Sequence, residues 1–312
     1  MNGIINIYKE PGFTSHDAVA KLRGILKQKK IGHTGTLDPE AAGVLPVCLG
    51  NATKVCEMLT DATKEYVAVL LLGTETDTYD ITGQILSRKE EEARNTGKEE
   101  LLGVLDRFRG EILQEPPMYS ALKVDGKRLY ELARRGIEVE RKKRPVTVYE
   151  LELLEADPPR FRLRIVCSKG TYIRSLCHDI GKELSVGGCM ESLLRTRVGS
   201  FEASDSVKLS AIEEKIREAG AVPGELSGLG LGRSAVTVDE LFAELPAIRM
   251  KEEADRILLN GNPLKPGQFD VSKSEKVPGN GKIRAFDSGG SFRGIYEKDA
   301  EKGIFMPVKL FL

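Results

Sequence analysis

Residues 32–43 read GHTGTLDPEAAG, and the apolar run VLPVC follows directly at 44–48. The first segment combines glycines, a proline and small polar residues without an apolar period, which predicts a loop. This loop connects a helix predicted at about 16–27 to a short strand. Its glycines let the backbone approach a ligand, and a rigid scaffold on both sides can present a loop side chain. An aspartate before a proline is most often a turn residue. The presence of His33 in the same short segment favours a functional role for Asp38.

The sequence around this loop predicts a mixed sheet. Thr14 or Ser15 is placed to cap the helix at 16–27, and further helices are predicted at 98–107 and from after Thr171 to about Leu184. Strands are predicted at about 3–8, 44–48, 64–72, 110–114, 119–124, 145–155, 160–168 and 189–198, with a turn at Asp125 and Gly126. Because hairpins and helices both connect neighbouring strands, the expected fold class is α/β or α+β.

The glycine content marks a boundary in the second half of the chain. Residues 219–234 contain five glycines and little periodic pattern, which predicts a linker. A helix is predicted at about 237–244, and short β-like segments follow to the end of the chain. The length of 312 residues fits about two domains. We expect a main domain at 1–218, a linker with a helix at 219–245 and a small β-rich domain at 246–312.

Composition narrows the class of protein. Hydrophobic residues make up 40% and charged residues 30% of the chain, as in a globular protein with a real core. No apolar run approaches the ~18–20 residues that cross a bilayer, and the N-terminus lacks a signal-peptide pattern. The five cysteines form no CxxC pair and no disulfide framework. They predict reduced thiols in the cytoplasm and no metal site.

Charge is balanced overall but segregated along the chain. Lys and Arg number 47, as do Asp and Glu. Residues 121–144 nevertheless hold nine Lys or Arg against four acids, whereas residues 61–110 hold eleven acids against seven bases. A local basic stripe is enough to steer phosphates, so the overall balance does not exclude a nucleic-acid partner.

Two further clusters are candidates for chemistry. CSKGTYIR at 167–174 lies at a predicted strand-to-helix junction, where Tyr172 and Arg174 would face free backbone N–H groups. An ordinary capped helix with a solvated arginine is an equally good interpretation of this cluster alone. Lys64-Glu65-Tyr66 starts a strand, and its tyrosine is either packing or an aromatic face for a base.

Together these segments resemble the TruB family of tRNA pseudouridine synthases over nearly the whole chain. The motifs that carry the resemblance occur in the family's order: KEPGFTSHDAV, GHTGTLDPEAAGVLPVCLGNATK, KEY, GTETDTYDITG, PPMYSALKVDGKRLYELARRG, CSKGTYIRSLCHDIG and LLRTRVGSF. The resemblance implies the mixed, largely antiparallel sheet of the pseudouridine synthase fold and a small C-terminal PUA-like domain. It also implies that residues 115–144 contain an RNA-binding insertion.

The resemblance implies an isomerase that converts uridine to pseudouridine at position 55, in the T-loop of tRNA. Such enzymes break the glycosidic bond, turn the uracil and rejoin it through C5. A carboxylate near C1′ acts as nucleophile or proton acceptor, and the family aspartate matches Asp38. Arg174 would pair with Asp38, Tyr66 would stack on the uracil, Tyr172 would line the pocket and Leu194 would pack against the base.

The remaining implied roles concern the RNA. Lys9 would brace the active-site loop or the RNA backbone, although Lys9-Glu10-Pro11-Gly12 displaces the family's proline by one position. His33 would enter the stack that the flipped base leaves. The basic run Arg141, Lys142, Lys143 and Arg144 would contact phosphates, and the C-terminal domain would reach the acceptor stem. The resemblance implies no cofactor, no membrane, no obligate protein partner and a monomer.

Two other functions use some of the same features. A non-catalytic RNA-binding protein would need the basic segment but no aspartate, arginine and aromatic around one base. A glycosidase-like hydrolase would use a carboxylate near C1′, but such enzymes usually need two. Asp77 and Asp80 could suggest a metal site, although hard cations normally gather more oxygen ligands than these.

Overall fold

The protein is described by a computed structural model over residues 1–124 and 126–312. The strands in these ranges are β1 (Gly3–Lys9), β2 (Ile31–His33), β3 (Ala42–Leu49), β4 (Lys64–Leu72), β5 (Thr74–Thr76), β6 (Ile85–Arg88), β7 (Gly110–Gln114), β8 (Lys123–Val124), β9 (Lys127–Arg128), β10 (Arg144–Asp157), β11 (Arg160–Cys167), β12 (Gly188–Val198), β13 (Phe201–Glu202), β14 (Ala235–Val236), β15 (Ala247–Arg249), β16 (Lys282–Phe286), β17 (Phe292–Asp299) and β18 (Ile304–Leu310). The helices are α1 (Ser15–Leu26), α2 (Cys56–Asp61), α3 (Glu90–Arg94), α4 (Lys98–Arg107), α5 (Leu129–Ala133), α6 (Ile173–Glu183), α7 (Leu209–Ala219) and α8 (Asp255–Leu259).

The main sheet is mixed and mostly antiparallel. Its strands run in the order β14-β1-β3-β12-β4-β11-β10-β7, with β2 beside β3 and β13 beside β12. The pairing of β3 with β12 is parallel, and the neighbouring pairs β1–β3 and β12–β4 are antiparallel. The predicted fold class is therefore confirmed. The centre of the sheet joins β3, which follows the loop carrying Asp38, to β12 and then to β4, which carries Tyr66.

Local sequence explains the elements that hold the site. Thr14 caps α1, because its hydroxyl accepts from the Asp17 backbone while the Asp17 carboxylate accepts from the Thr14 backbone. In β4 the residues KEYVAVLLL place Tyr66, Ala68 and Leu70 on one buried face, as the two-residue period of a strand requires. Helices α4 and α6 pack on this face through Leu101, Leu105, Leu176 and Ile180.

The C-terminal residues form a second sheet in the order β15-β16-β17-β18. It has its own core, which includes Ile248, Phe269 and Phe305. A third apolar cluster joins this unit to the main one, since Ile295 and Phe311 pack with residues of the main unit. The helix expected at about 237–244 is wrong, because the chain there makes only a short 3-10 turn, Glu240–Phe242.

The described residues of the basic segment (121–144) form a small hairpin followed by a helical turn. Strands β8 and β9 pair with each other, and α5 follows with Leu129 and Leu132 buried. The strand expected at about 119–124 is correct only for its last two residues, because Ser120 and Leu122 bond to the start of α5 through their carbonyls. The turn predicted at Asp125 and Gly126 includes Asp125, which lies outside the described residues.

Among the helices in the described ranges, none is long and apolar enough to cross a membrane.

Candidate active site

The loop between β2 and β3 carries Asp38 at its tip. Leu37 is buried and anchors the loop from below. Ser15, at the start of α1, accepts a hydrogen bond from Leu37 N at 2.8 Å and donates one to Leu37 O at 3.3 Å. The next residue is thereby turned outwards, and the Asp38 side chain is 35% exposed. A carboxylate held in this way is accessible to a ligand but fixed in direction.

Arg174 forms a two-pronged ion pair with Asp38. Arg174 Nε lies 2.8 Å from Asp38 Oδ2, and Nη2 donates to Asp38 Oδ1 at 3.0 Å. The arginine side chain is only 6% exposed, so little solvent weakens the attraction. The planar fork of the guanidinium bonds both carboxylate oxygens and so fixes the plane of the carboxylate. The structure thus brings together the two predicted residues, which are 136 positions apart in the chain.

A second aspartate supports the same arginine. Asp80 Oδ2 lies 3.7 Å from Arg174 Nη1, and that nitrogen also donates to Thr78 O at 3.1 Å. Asp80 is held in turn by the hydroxyls of Thr78 and Thr82, at 3.0 and 2.6 Å. The sequence alone suggested Asp80 only as a weak metal candidate. The motif GTETDTYDITG contained the signal, but its contact with Arg174 depends on tertiary structure.

Tyr66 lies on β4, one of the central strands of the main sheet. Its side chain faces the buried cluster that contains Leu37 and Leu193, and the Asp38 charge reaches its hydroxyl. The register of β4 and β12 pairs Tyr66 with Arg195, Val67 with Leu194 and Ala68 with Leu193.

This register contradicts the predicted contact between Leu194 and the base. Side chains alternate across a strand, so Leu194 lies on the face opposite to Tyr66, together with Val67. Leu193, one residue earlier, is buried on the face of Tyr66 and belongs to the same apolar cluster. The apolar neighbour of the site is therefore Leu193.

Lys9 ties the active-site loop to the end of β1. It is 1% exposed, and its Nζ donates to Phe13 O at 2.6 Å, Pro39 O at 2.8 Å and Glu10 O at 3.1 Å. Gly12 N donates to the same Pro39 carbonyl at 3.0 Å. Burial lowers the pKa of Lys9 to about 8. Contacts of this kind are what a residue that braces the loop requires, and they form in spite of the displaced proline.

His33 and Tyr172 each lie at the end of an element, His33 at the end of β2 and Tyr172 just before α6. The Nδ1 atom of His33 accepts from Gly35 N at 3.3 Å, and burial lowers the pKa of His33, so the ring is neutral near pH 7. Tyr172 is the residue before α6. Its backbone N–H donates to Gln114 Oε1 at 2.8 Å, and its carbonyl accepts from Gln114 Nε2 at 3.0 Å. The end of β7 is thereby joined to the start of α6, the helix that carries Arg174.

The four predicted basic residues at 141–144 differ in their surroundings. Arg141 has an 11% exposed side chain, and it pairs with Glu115 at 2.7 Å and donates to Pro116 O at 3.2 Å. Lys142, Lys143 and Arg144 are exposed. Arg141 therefore anchors the base of the segment, and the other three present their charges to solvent.

The site as a whole offers one accessible carboxylate that is paired with a buried arginine, together with a phenol and an apolar wall. Such a site can attack or deprotonate a substrate through Asp38 while the phenol handles a second proton. Over the described residues, no group of three His, Cys, Asp or Glu side chains is arranged to hold a metal ion. The cysteines are all free thiols.

Comparison with known families gives two matches along the chain. The family described as TruB family pseudouridylate synthase (N terminal domain) matches residues 23–173. The tRNA pseudouridylate synthase B C-terminal domain matches residues 174–225.

Similar proteins and structures agree with these matches. A tRNA pseudouridine synthase B of Lachnoclostridium phytofermentans is 49% identical over the full length of both chains. One of Clostridium perfringens strain SM101 is 42% identical over 97% of each chain. A chain from a crystal structure of a Cbf5-Nop10-Gar1 complex has a TM-score of 0.69 at 28% identity, covering 99% of this chain and 85% of that one. A chain from an H/ACA RNP bound to a substrate RNA containing 2′-deoxyuridine has a TM-score of 0.68 at 26% identity, with the same two coverages.

Proposed function

Because the chain belongs to the TruB family of pseudouridylate synthases, we propose that it converts the uridine at position 55 in the T-loop of tRNA into pseudouridine. The observation that carries this proposal is the ion pair between Asp38 and Arg174 beside Tyr66. It supplies an ionised, partly exposed carboxylate next to an aromatic ring. Isomerisation of the glycosidic bond requires a carboxylate close to both the base and the C1′ carbon of the ribose.

Asp38 is the essential carboxylate in this reaction. It acts on the ribose or the base as nucleophile or proton acceptor, and Arg174 holds its direction. The detached uracil carries negative charge until C5 bonds to C1′, and the buried guanidinium of Arg174 favours such a charge nearby. The reaction only rearranges atoms of one nucleotide, so we assign no redox or group-carrying cofactor.

The uracil must leave the tRNA loop before it reaches Asp38. Extrusion of a base costs a few kcal/mol, and the neutral ring of His33 stacks in the vacated position to offset part of this cost. The ring of Tyr66 serves as the platform for the uracil, since stacking a base on an aromatic side chain contributes ~1–3 kcal/mol. Leu193 forms the apolar wall, and Tyr172 borders the pocket.

The RNA contacts lie outside the pocket. Lys142, Lys143 and Arg144 are exposed on the insertion at 115–144, and we assign them to phosphates of the T-arm. We assign the catalytic domain to 1–218, the linker to 219–245 and a PUA-like RNA-binding domain to 246–312, which would reach the acceptor stem. The enzyme would act as a monomer on tRNA in the cytoplasm.

The decisive experiment compares the native protein with Asp38→Asn on transcribed tRNA. Asparagine keeps the shape but removes the charge, so turnover should fall to background while tRNA affinity stays within about twofold. Pseudouridine is measured by nucleoside analysis of digested tRNA, and a tRNA with cytidine at position 55 controls for the position. Substantial turnover by Asp38→Asn would remove Asp38 from the mechanism. Binding without product from the native protein would indicate an RNA-binding protein, and free uracil a hydrolase.

A further inference from the structure

Arg195 is a buried cation without an acidic partner. It is 1% exposed and ranks first by volume among the fully buried side chains. Its Nε donates to Val44 O at 2.7 Å and its Nη2 to Gly35 O at 3.2 Å, and its Nη1 lies 3.5 Å from Thr36 O. Among the residues that the structure describes, it pairs with no carboxylate. This differs from Arg174, which meets Asp38 directly.

Such a residue is costly to keep in a core. Removing a charge from water disfavours folding unless other groups compensate it, and backbone carbonyls offer only partial charges. An apolar side chain would suit the face of β12 that already carries Leu193. The position therefore calls for a reason beyond packing.

The neighbour that could use this charge is the hydroxyl of Tyr66. The two residues are directly opposite each other in the register of β4 and β12, on the same face of the sheet, and both are buried. Burial raises the pKa of the Tyr66 hydroxyl, and the charge of Arg195 acts against this rise. Tyr66 is thus a buried phenol opposite a fixed cation, in a site that also contains the charges of Asp38 and its partner Arg174.

We propose that Arg195 supports the last proton transfer of the reaction by stabilising negative charge on the Tyr66 oxygen as that oxygen takes the proton from C5. The proposal rests on the function proposed above. Arg195 acts through Tyr66, so it is a positioning residue and not a catalytic one.

The step balances without any added reactant. When C5 has bonded to C1′, it carries both the ribose and a hydrogen. The C5–H bond breaks and its proton moves to the Tyr66 oxygen, which has lost its own proton to water. The electron pair closes the C5=C6 double bond, and the C6=N1 electrons move to N1, which takes a proton from water. The proton from C5 restores the phenol, so the net change is a proton shift from C5 to N1.

A purely structural role for Arg195 makes a different forecast. Its bonds to Gly35 and Val44 span the loop on both sides of Asp38, so losing them could misplace Asp38. Misplacement would slow cleavage of the glycosidic bond, which comes before C5 loses its hydrogen. Deuterium at C5 separates the two roles, because it slows only a reaction in which breaking the C5–H bond limits the rate.

The experiment measures single-turnover rates on tRNA transcribed with normal or 5-deuterated uridine. Arg195→Met should slow product formation by about a hundredfold, as does removal of one donor from a developing charge, and deuterium should slow it further. Arg195→Lys keeps the charge and should recover about tenfold of this loss. Arg197→Met is the control on the same strand, since Arg197 pairs with Glu65 at 3.3 Å and its side chain is 31% exposed. It should behave like the native protein with both substrates.

Tyr66→Phe alone completes the test, because its deuterium effect does not depend on how well the Arg195 variants fold. It should show the same slow, deuterium-sensitive step, and adding Arg195→Lys to it should cause no further loss. The proposal is overturned if Tyr66→Phe shows no deuterium effect, if the Arg195 variants are slow without one, or if the losses add. Failure of the native protein to form pseudouridine would instead refute the proposed function.

Discussion

Replacing Arg174 with methionine should cost the protein both stability and activity. The guanidinium is bonded to Asp38 on two atoms and donates to Thr78 O at 3.1 Å and Tyr119 O at 2.8 Å. Breaking a buried ion pair by removing one partner costs about 3–5 kcal/mol. Asp38 is 35% exposed and regains water, which favours the lower end of that range. The carbonyls of Thr78 and Tyr119 also lose a donor. Because they are not fully reached by water, each adds about 1 kcal/mol to the cost.

These contributions overlap, so we expect Arg174→Met to lower the free energy of unfolding by about 4 kcal/mol. Asp38→Asn should lower it by only about 1 kcal/mol. The amide oxygen still accepts from Arg174, and the carboxylate of Asp80, 3.7 Å from Arg174 Nη1, still balances the charge of the guanidinium. Both variants should be inactive on tRNA. The two substitutions therefore separate the stabilising half of the ion pair from the reacting half.

Urea unfolding followed by circular dichroism measures the loss, and Arg160→Met is the matched control. Arg160 pairs with Glu191 at 2.8 Å, but its side chain is 53% exposed, so its removal should cost less than about 1 kcal/mol. Equal stability of Arg174→Met and Asp38→Asn would refute the reasoning, since it would mean that the guanidinium contributes nothing beyond its contact with Asp38.

Two further predictions concern charges away from the reacting atoms. Neutralising Lys142, Lys143 and Arg144 should flatten the salt dependence of tRNA binding by roughly 0.7–0.9 in log–log slope per lost phosphate contact. Arg141→Met should instead mainly loosen the basic segment. An unchanged slope for the triple variant would show that these charges do not contact phosphates. Burial lowers the pKa of Lys9 from its ordinary value of 10.5 to about 8 in the folded protein, so the unfolded chain binds more protons between these values and folding becomes more favourable as pH rises through the window. The stability of the native protein relative to Lys9→Met should therefore rise by up to about 3 kcal/mol from pH 7 to pH 10.5, and parallel denaturation curves at the two pH values that show no such change would contradict the buried state of this lysine.

The sequence correctly predicted those elements that are determined by neighbouring residues in the chain. The apolar alternation of β4, the cap at Thr14 and the boundaries of α6 all depend on residues within a few positions. The loop of Asp38 was predicted for the same reason, because its glycines and proline exclude a regular element. The pairing of Asp38 with Arg174 came only from family resemblance, since nothing local joins positions so far apart.

The errors arose where register or tertiary contacts decide. Leu194 was the residue predicted beside the base, and a shift of one residue in a strand moves a side chain to the opposite face. Irregular pairing near Met190 and after Arg195 makes that register hard to predict. Arg195 was missed because an arginine in a strand usually indicates a solvent face, and Asp80 because its role depends on a long-range contact.

The buried cations around the loop explain how a segment with so few apolar side chains is held still. Lys9 bonds to the carbonyl of Pro39, Arg195 to that of Gly35, and Arg174 to the carboxylate of Asp38 itself. Each comes from a different element, namely β1, β12 and α6, so the loop is fixed from three directions without a hydrophobic core of its own. Hydrogen bonds that involve charged donors are about twice as strong as neutral ones, and burial protects them from competition by water. The same positive charges would favour the anionic uracil that forms when the glycosidic bond breaks, so the groups that hold the loop would also serve the chemistry.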